Sequence, residues 1–149
     1  MTDTTTSGTK HRTRHRARQA AVQMLYQWEV GQHDIEEVVR TFWSTNLSGL
    51  EGAPDSVRIF AEQLVRMTIA NLEKIDPLIA DTAQHWRLSR IAALDRIILR
   101  LAIGEFLDGS TPRNVIINEA LELAKTFSGE DSVKFVNGIL DAVKKKMNS

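Results

Sequence analysis

Apolar residues recur at helical spacing along nearly the whole chain, and no segment alternates as a half-buried strand would. The cleanest stripe lies in "RARQAAVQMLYQWE" (16–29), where Ala17, Ala20, Ala21, Met24, Leu25 and Trp28 fall at i, i+3, i+4, i+7, i+8 and i+11. Gly31 is placed to stop that helix. Ile35, Val38, Val39, Phe42 and Trp43 predict a second. Residues 48–54, "SGLEGAP", read as a loop, with Pro54 suited to the first turn of a third helix carrying Val57, Phe60, Ala61, Leu64, Val65 and Leu72. "IDP" at 75–77 predicts a restart, with Asp76 as N-cap and Pro77 at the first helical position. Residues 89–107 are the most apolar and predict a central helix: Ile97, Ile98, Leu99, Leu101, Ala102, Ile103 and Phe106 leave little polar face. "DGSTP" (108–112) breaks it, and two further helices are expected over about 114–127 and 131–146, divided by Ser128 and Gly129. The pattern is that of an all-α fold with about seven helices and no internal repeat.

Length, at 149 residues, fits one domain. Residues 1–9, "MTDTTTSGT", are small and polar, and the expected organisation is a disordered tail over residues 1–11 followed by a single helical domain over 12–149. The chain has no cysteine, which excludes disulfides and thiol chemistry and fits a reducing compartment. No run of about 18 apolar residues is present, so no membrane span is expected, and the start lacks the apolar core of a secretory signal. The cytoplasm is the expected location.

Charge changes the picture. Lys+Arg and Asp+Glu are both 19, but residues 1–18 hold five Lys/Arg against one acid. A basic segment on an otherwise acidic body points to a polyanionic partner at that end. At 100° per residue, Arg16, Gln19, Gln23 and Tyr26 gather within about 80° on the side of the first helix away from its apolar stripe. Arg14 would fall inside the stripe, so the helix is expected to start after it, with residues 10–14 as a mobile arm. Cations neutralise phosphate, amides reach base edges and a ring stacks on an unpaired base, so this face suits single-stranded nucleic acid. A solvated basic terminus with Tyr26 packed on a neighbouring helix is the alternative.

The last helix carries a similar oddity. Its stripe is Val133, Val136, Leu140, Val143 and Met147, with Phe135 off it beside Asp131, Lys134, Gly138 and Ala142. Glycine in a helix interior costs about 1 kcal/mol relative to alanine, so the backbone at Gly138 is expected to be approached closely, by another helix or by a ligand. Asp95, Arg96 and Arg100 stand in the most apolar helix and must reach solvent, pair internally or meet a partner. No catalytic, metal or cofactor site is expected. The histidines (His11, His15, His33, His85) lack ligand spacing, the glycines are scattered, and the pair Glu119/Glu122 reads as helix surface. Residues 144–146, "KKK", suit a helix C-terminus.

"RARQAAVQMLYQWE" (16–29), "LDRIILRLAIGEFL" (94–107) and "VIINEALELAKTFSGEDSVKFVNGILD" (115–141) resemble the NusB family of bacterial transcription antitermination factors, over about residues 12–146. The resemblance implies an all-helical fold of two small bundles and no enzymatic activity. It implies binding of the boxA element in nascent RNA leaders, notably of ribosomal RNA operons, together with the ribosomal protein NusE. NusA, NusG and RNA polymerase would complete the assembly. The family's RNA-facing positions fall on Arg12, Arg14, Arg16, Arg18 and Tyr26, and on Phe127, Asp131, Lys134 and Phe135, with Gln23 on the same helix face as Tyr26. The acidic position at the NusE interface falls on Asp95. The family includes monomers and homodimers. Gly104 stands where many members have a larger residue, often Tyr, so looser local packing is expected there. A helical adaptor that binds protein alone is the rival reading.

Overall fold

The computed structural model describes residues 2–44, 52–83 and 88–148. These residues form seven α-helices and no strand: α1 (Thr2–Glu29), α2 (Ile35–Thr41), α3 (Asp55–Ala70), α4 (Leu72–Thr82), α5 (Ala93–Asp108), α6 (Arg113–Phe127) and α7 (Glu130–Met147). Short 3-10 turns occupy Phe42–Ser44 and Leu88–Arg90. The expected all-α class holds. Residues 48–51 of the expected loop, and His85, lie outside the described residues. The chain divides into two compact units, Met1–Val65 and Arg66–Ser149, so the boundary falls within α3.

In the first unit, α1 is continuous from Thr2. The disordered tail expected over residues 1–11 and the mobile arm expected over 10–14 are therefore helical from Thr2 onward. The physical reason lies in propagation. Once the alanine-rich turns form a nucleus, each added Arg or Lys back to Lys10 gains a hydrogen bond at little cost in propensity, and no proline intervenes. Residues 2–9 hold five threonines and Gly8, and their propensity does not explain the helix there. The other end of α1 is fixed by Gly31. A Cβ there would lie 2.6 Å from the Gln27 carbonyl oxygen and 2.9 Å from His33 Cδ2. The chain turns back too tightly for a side chain, with Gln32 taking the left-handed conformation (φ 56°). Asp34 then caps α2, its carboxylate accepting from the Glu37 N–H at 3.4 Å. Val38, Val39, Phe42 and Trp43 are buried, and the two rings meet edge to face at 5.0 Å.

In the second unit, α5 is central, packed against α4, α6 and α7. Ile97, Ile98, Leu99, Leu101, Ala102, Ile103 and Phe106 are all buried. The helix stops at Gly109, whose left-handed backbone (φ 77°) lets its N–H donate to the Glu105 carbonyl at 3.1 Å. Two arginines tie α5 to its surroundings. Arg96 Nη1 donates to the Leu88 and Ile91 carbonyls at 3.3 and 2.6 Å, and Arg100 grips Asp76 through both carboxylate oxygens at 2.9 and 3.0 Å.

That second contact corrects the predicted restart. Asp76 is no N-cap, α4 begins at Leu72 after Asn71, and Pro77 lies inside the helix. Pro77 cannot donate to the Glu73 carbonyl. Burial of Ile75 and Ile79 and the Arg100 clamp hold the helix through it. Glu119, read as surface, is buried, while Glu122 is exposed.

Gly104 is also corrected. A Cβ there would stand 3.3 Å from Met67 Cε, 3.4 Å from Thr68 Oγ1 and 3.5 Å from Ile75 Cδ1, so the packing is close rather than loose. Gly104→Leu is expected to destabilise the chain by about 1–3 kcal/mol through overpacking. Gly104→Ala needs only a small shift of the flexible Met67 tip and should stay within about 1 kcal/mol of the parent, as read by urea denaturation.

Candidate nucleic-acid and protein interface

The uninterrupted α1 sorts its arginines. Residues four apart share a helix face, so the alternating Arg12, Arg14, Arg16 and Arg18 divide into two pairs. Arg14 and Arg18 turn inward, their guanidinium carbons 5.2 and 5.6 Å from the centre of the Phe60 ring. Arg18 is only 2% exposed. It was expected to contact RNA, and the fold removes it from that set. The apolar stripe alone is too narrow a guide: the buried arc of α1 also takes in Val22.

Arg12 and Arg16 turn the other way. With the helix continuous, Arg12 joins Arg16, Gln19, Gln23 and Tyr26 in one sector of about 80°. Arg12 is exposed and Arg16, Gln19 and Gln23 are half-buried. Tyr26 is 41% exposed, so the alternative that packs it on a neighbouring helix does not hold. His11 and His15, one turn apart, stack at 6.4 Å.

The second unit carries its own surface. Asp131 and Lys134 are exposed on α7, Phe135 is half-buried beside them, and Phe127 is half-buried at the end of α6. Asp131, Ser132 and Phe135 share with Arg90, Ile91, Ala92 and Asp95 the wall of a cavity of about 320 Å³. Arg90, Ile91, Ala92 and Ser132 gave no signal in the sequence. They are ordinary loop and first-turn residues, and only the packing of α5 beside α7 brings them to the site.

Asp95 is the unusual member. It is 8% exposed, and its Oδ1 atom is buried without a hydrogen-bond partner. Its neighbours Arg96 and Arg100 are engaged elsewhere, with the Leu88 and Ile91 carbonyls and with Asp76. A buried acceptor left without a donor is a cost to the free protein, offset in part by the first-turn position in α5. Asp95→Ala should therefore change stability by less than about 1 kcal/mol, far below the cost of breaking a buried pair. Thermal unfolding of the variant checks it.

The lysines at the end of α7 are tied down. Lys144 Nζ donates to Asn114 Oδ1 at 2.8 Å, Lys145 pairs with Asp141 at 3.1 Å, and Lys146 pairs with Asp81 at 3.6 Å. No group of three or more metal-binding side chains is assembled among the described residues, and none of the helices there is long and apolar enough to cross a membrane.

These are the surfaces of an all-helical binding module. A sequence model of the NusB family matches residues 15–145. The chain is 44% identical over 129 residues to the transcription antitermination protein NusB of Solibacter usitatus, covering 87% of this chain and 86% of that one. It is 41% identical over 132 residues to that of Koribacter versatilis, with 88% of each covered. Among solved structures it is similar to NusB of T. maritima, at a TM-score of 0.77 and 35% identity over 89% of this chain and 90% of that one. A crystal structure of the antitermination factors NusB and NusE in complex with double-stranded RNA also matches, at a TM-score of 0.77 and 27% identity over 91% of this chain and 98% of that one. The chain belongs to the NusB family, a family of transcription antitermination proteins rather than of enzymes.

Proposed function

We propose that the chain binds the boxA element of nascent RNA leaders, notably of ribosomal RNA operons, together with NusE, and so acts in antitermination. The carrying observation is the outward face of α1. Arg12 and Arg16 neutralise phosphates, Gln23 reaches a base edge, and Tyr26 stacks on an unpaired base. Phe127, Asp131, Lys134 and Phe135 form the RNA contacts of the second unit. Arg14, over Phe60, contributes at most through its field. Asp95 receives a donor group of NusE in the cavity beside α7, and NusA, NusG and RNA polymerase join the same cytoplasmic complex. The likeness to a complex of NusB, NusE and RNA supports both partners. An unpaired strand is preferred over a duplex here, because a stacking ring needs an open base face.

Fluorescence anisotropy with single-stranded boxA RNA at several salt concentrations tests the reading. Each neutralised phosphate contributes about −0.7 to the slope of log affinity against log salt. Arg12→Ala with Arg16→Ala should make that slope shallower by about 1.4. A slope near zero in the parent chain would indicate the protein-only adaptor instead. Repeating the titration with NusE present should raise RNA affinity, and Asp95→Ala should abolish that gain while leaving the binary RNA affinity unchanged.

A further inference from the structure

Nothing among the described residues gives Gly138 a packing reason. It stands inside α7, a helix of 18 residues, where glycine is a poor choice. Among the described glycines positive φ occurs at Gly52, Gly109 and Gly129, so no left-handed turn demands glycine at 138. A neighbouring helix does not demand it either: the residue is exposed, and a Cβ built on it meets nothing within 4 Å. Of the two close approaches expected from the sequence, the one by another helix is absent among the described residues. An approach from outside remains.

The surroundings say what approaches. Gly138 lies one turn beyond Lys134 and Phe135 on the same side of α7. Among the described residues the exposed large apolar side chains are Tyr26, Val30, Ile59, Leu107 and Val115, none on α7, so the face around Gly138 itself offers no apolar anchor. A ring, an ammonium and then bare backbone suit a ribonucleotide strand instead. The base lies on Phe135, the phosphate faces Lys134, and the next ribose rests on the helix where any side chain would hold it away. We infer that Gly138 positions the RNA strand on α7 by letting its sugar-phosphate backbone reach the helix surface. This rests on the RNA reading above.

The test compares Gly138→Ala and Gly138→Leu with the parent chain by thermal unfolding and by anisotropy with a fluorescein-labelled single-stranded boxA RNA. Gly138→Ala should raise Tm by about 2–4 °C, since it relieves the helix penalty in open space. RNA affinity should fall about threefold for Gly138→Ala and about tenfold or more for Gly138→Leu. Greater stability with weaker binding is a combination that a merely structural glycine would not give. If the parent binds the RNA and both variants bind it equally well, the inference is overturned and the RNA reading stands. If the parent does not bind, the RNA reading falls and takes the inference with it. If Gly138→Leu loses only NusE binding, or only a dimer seen by mass photometry, with RNA affinity intact, the face belongs to protein and the inference is again overturned.

Discussion

Arg18→Ala is expected to lower the unfolding free energy by about 2–3 kcal/mol, while Arg12→Ala leaves it within about 0.5 kcal/mol. The two residues look alike in the sequence, six positions apart in an unbroken alternation of arginines. In the fold they differ completely. Arg18 is buried with its guanidinium 5.6 Å from the Phe60 ring, where alanine would leave a void and an uncovered ring face. Arg12 extends into solvent. Urea denaturation of both variants separates them, and equal stability would contradict the inward orientation of Arg18. The RNA titration should reverse the ranking, with Arg12→Ala weakening binding through its lost phosphate contact.

The second large effect concerns Tyr26. Tyr26→Ala should cost about 1–3 kcal/mol of RNA binding, the worth of one stacked base, which is about 5- to 150-fold in affinity. Tyr26→Phe keeps the ring and should retain most of it. Because the ring is 41% exposed, neither change should move stability by more than about 0.5 kcal/mol. A marked fall in Tm for Tyr26→Ala would place the ring in the core and remove the stacking role.

Tyr26 and Phe135 were legible as residues off their apolar stripes, because helical periodicity alone fixes which side of a helix a residue occupies. Arg18 was not. Its side depends on how wide the buried arc of α1 is, and that is set by what packs around the helix. Reading the helix start after Arg14 had the same root: a stripe marks where a helix is buried, and a helix propagates past its buried part wherever propensity allows. Pro77 departs from its local signal for a related reason. Local chemistry favours a helix start at Asp76, but the carboxylate answers to Arg100, distant in sequence. Gly138 was legible as an anomaly and not as to its cause, since a sequence cannot tell an empty neighbourhood from a crowded one.

The unbroken α1 has a kinetic and thermodynamic consequence. Its cations are held at fixed intervals before any ligand arrives, with a rise of about 1.5 Å per residue that sets Arg12 and Arg16 about 6 Å apart along the axis. Capture of a nucleic acid then requires no coil-to-helix transition of residues 10–18. Backbone amides there should already resist deuterium exchange in the unliganded protein. The heat-capacity change on complex formation should reflect contact burial alone, without the larger signature of a segment that folds as it binds.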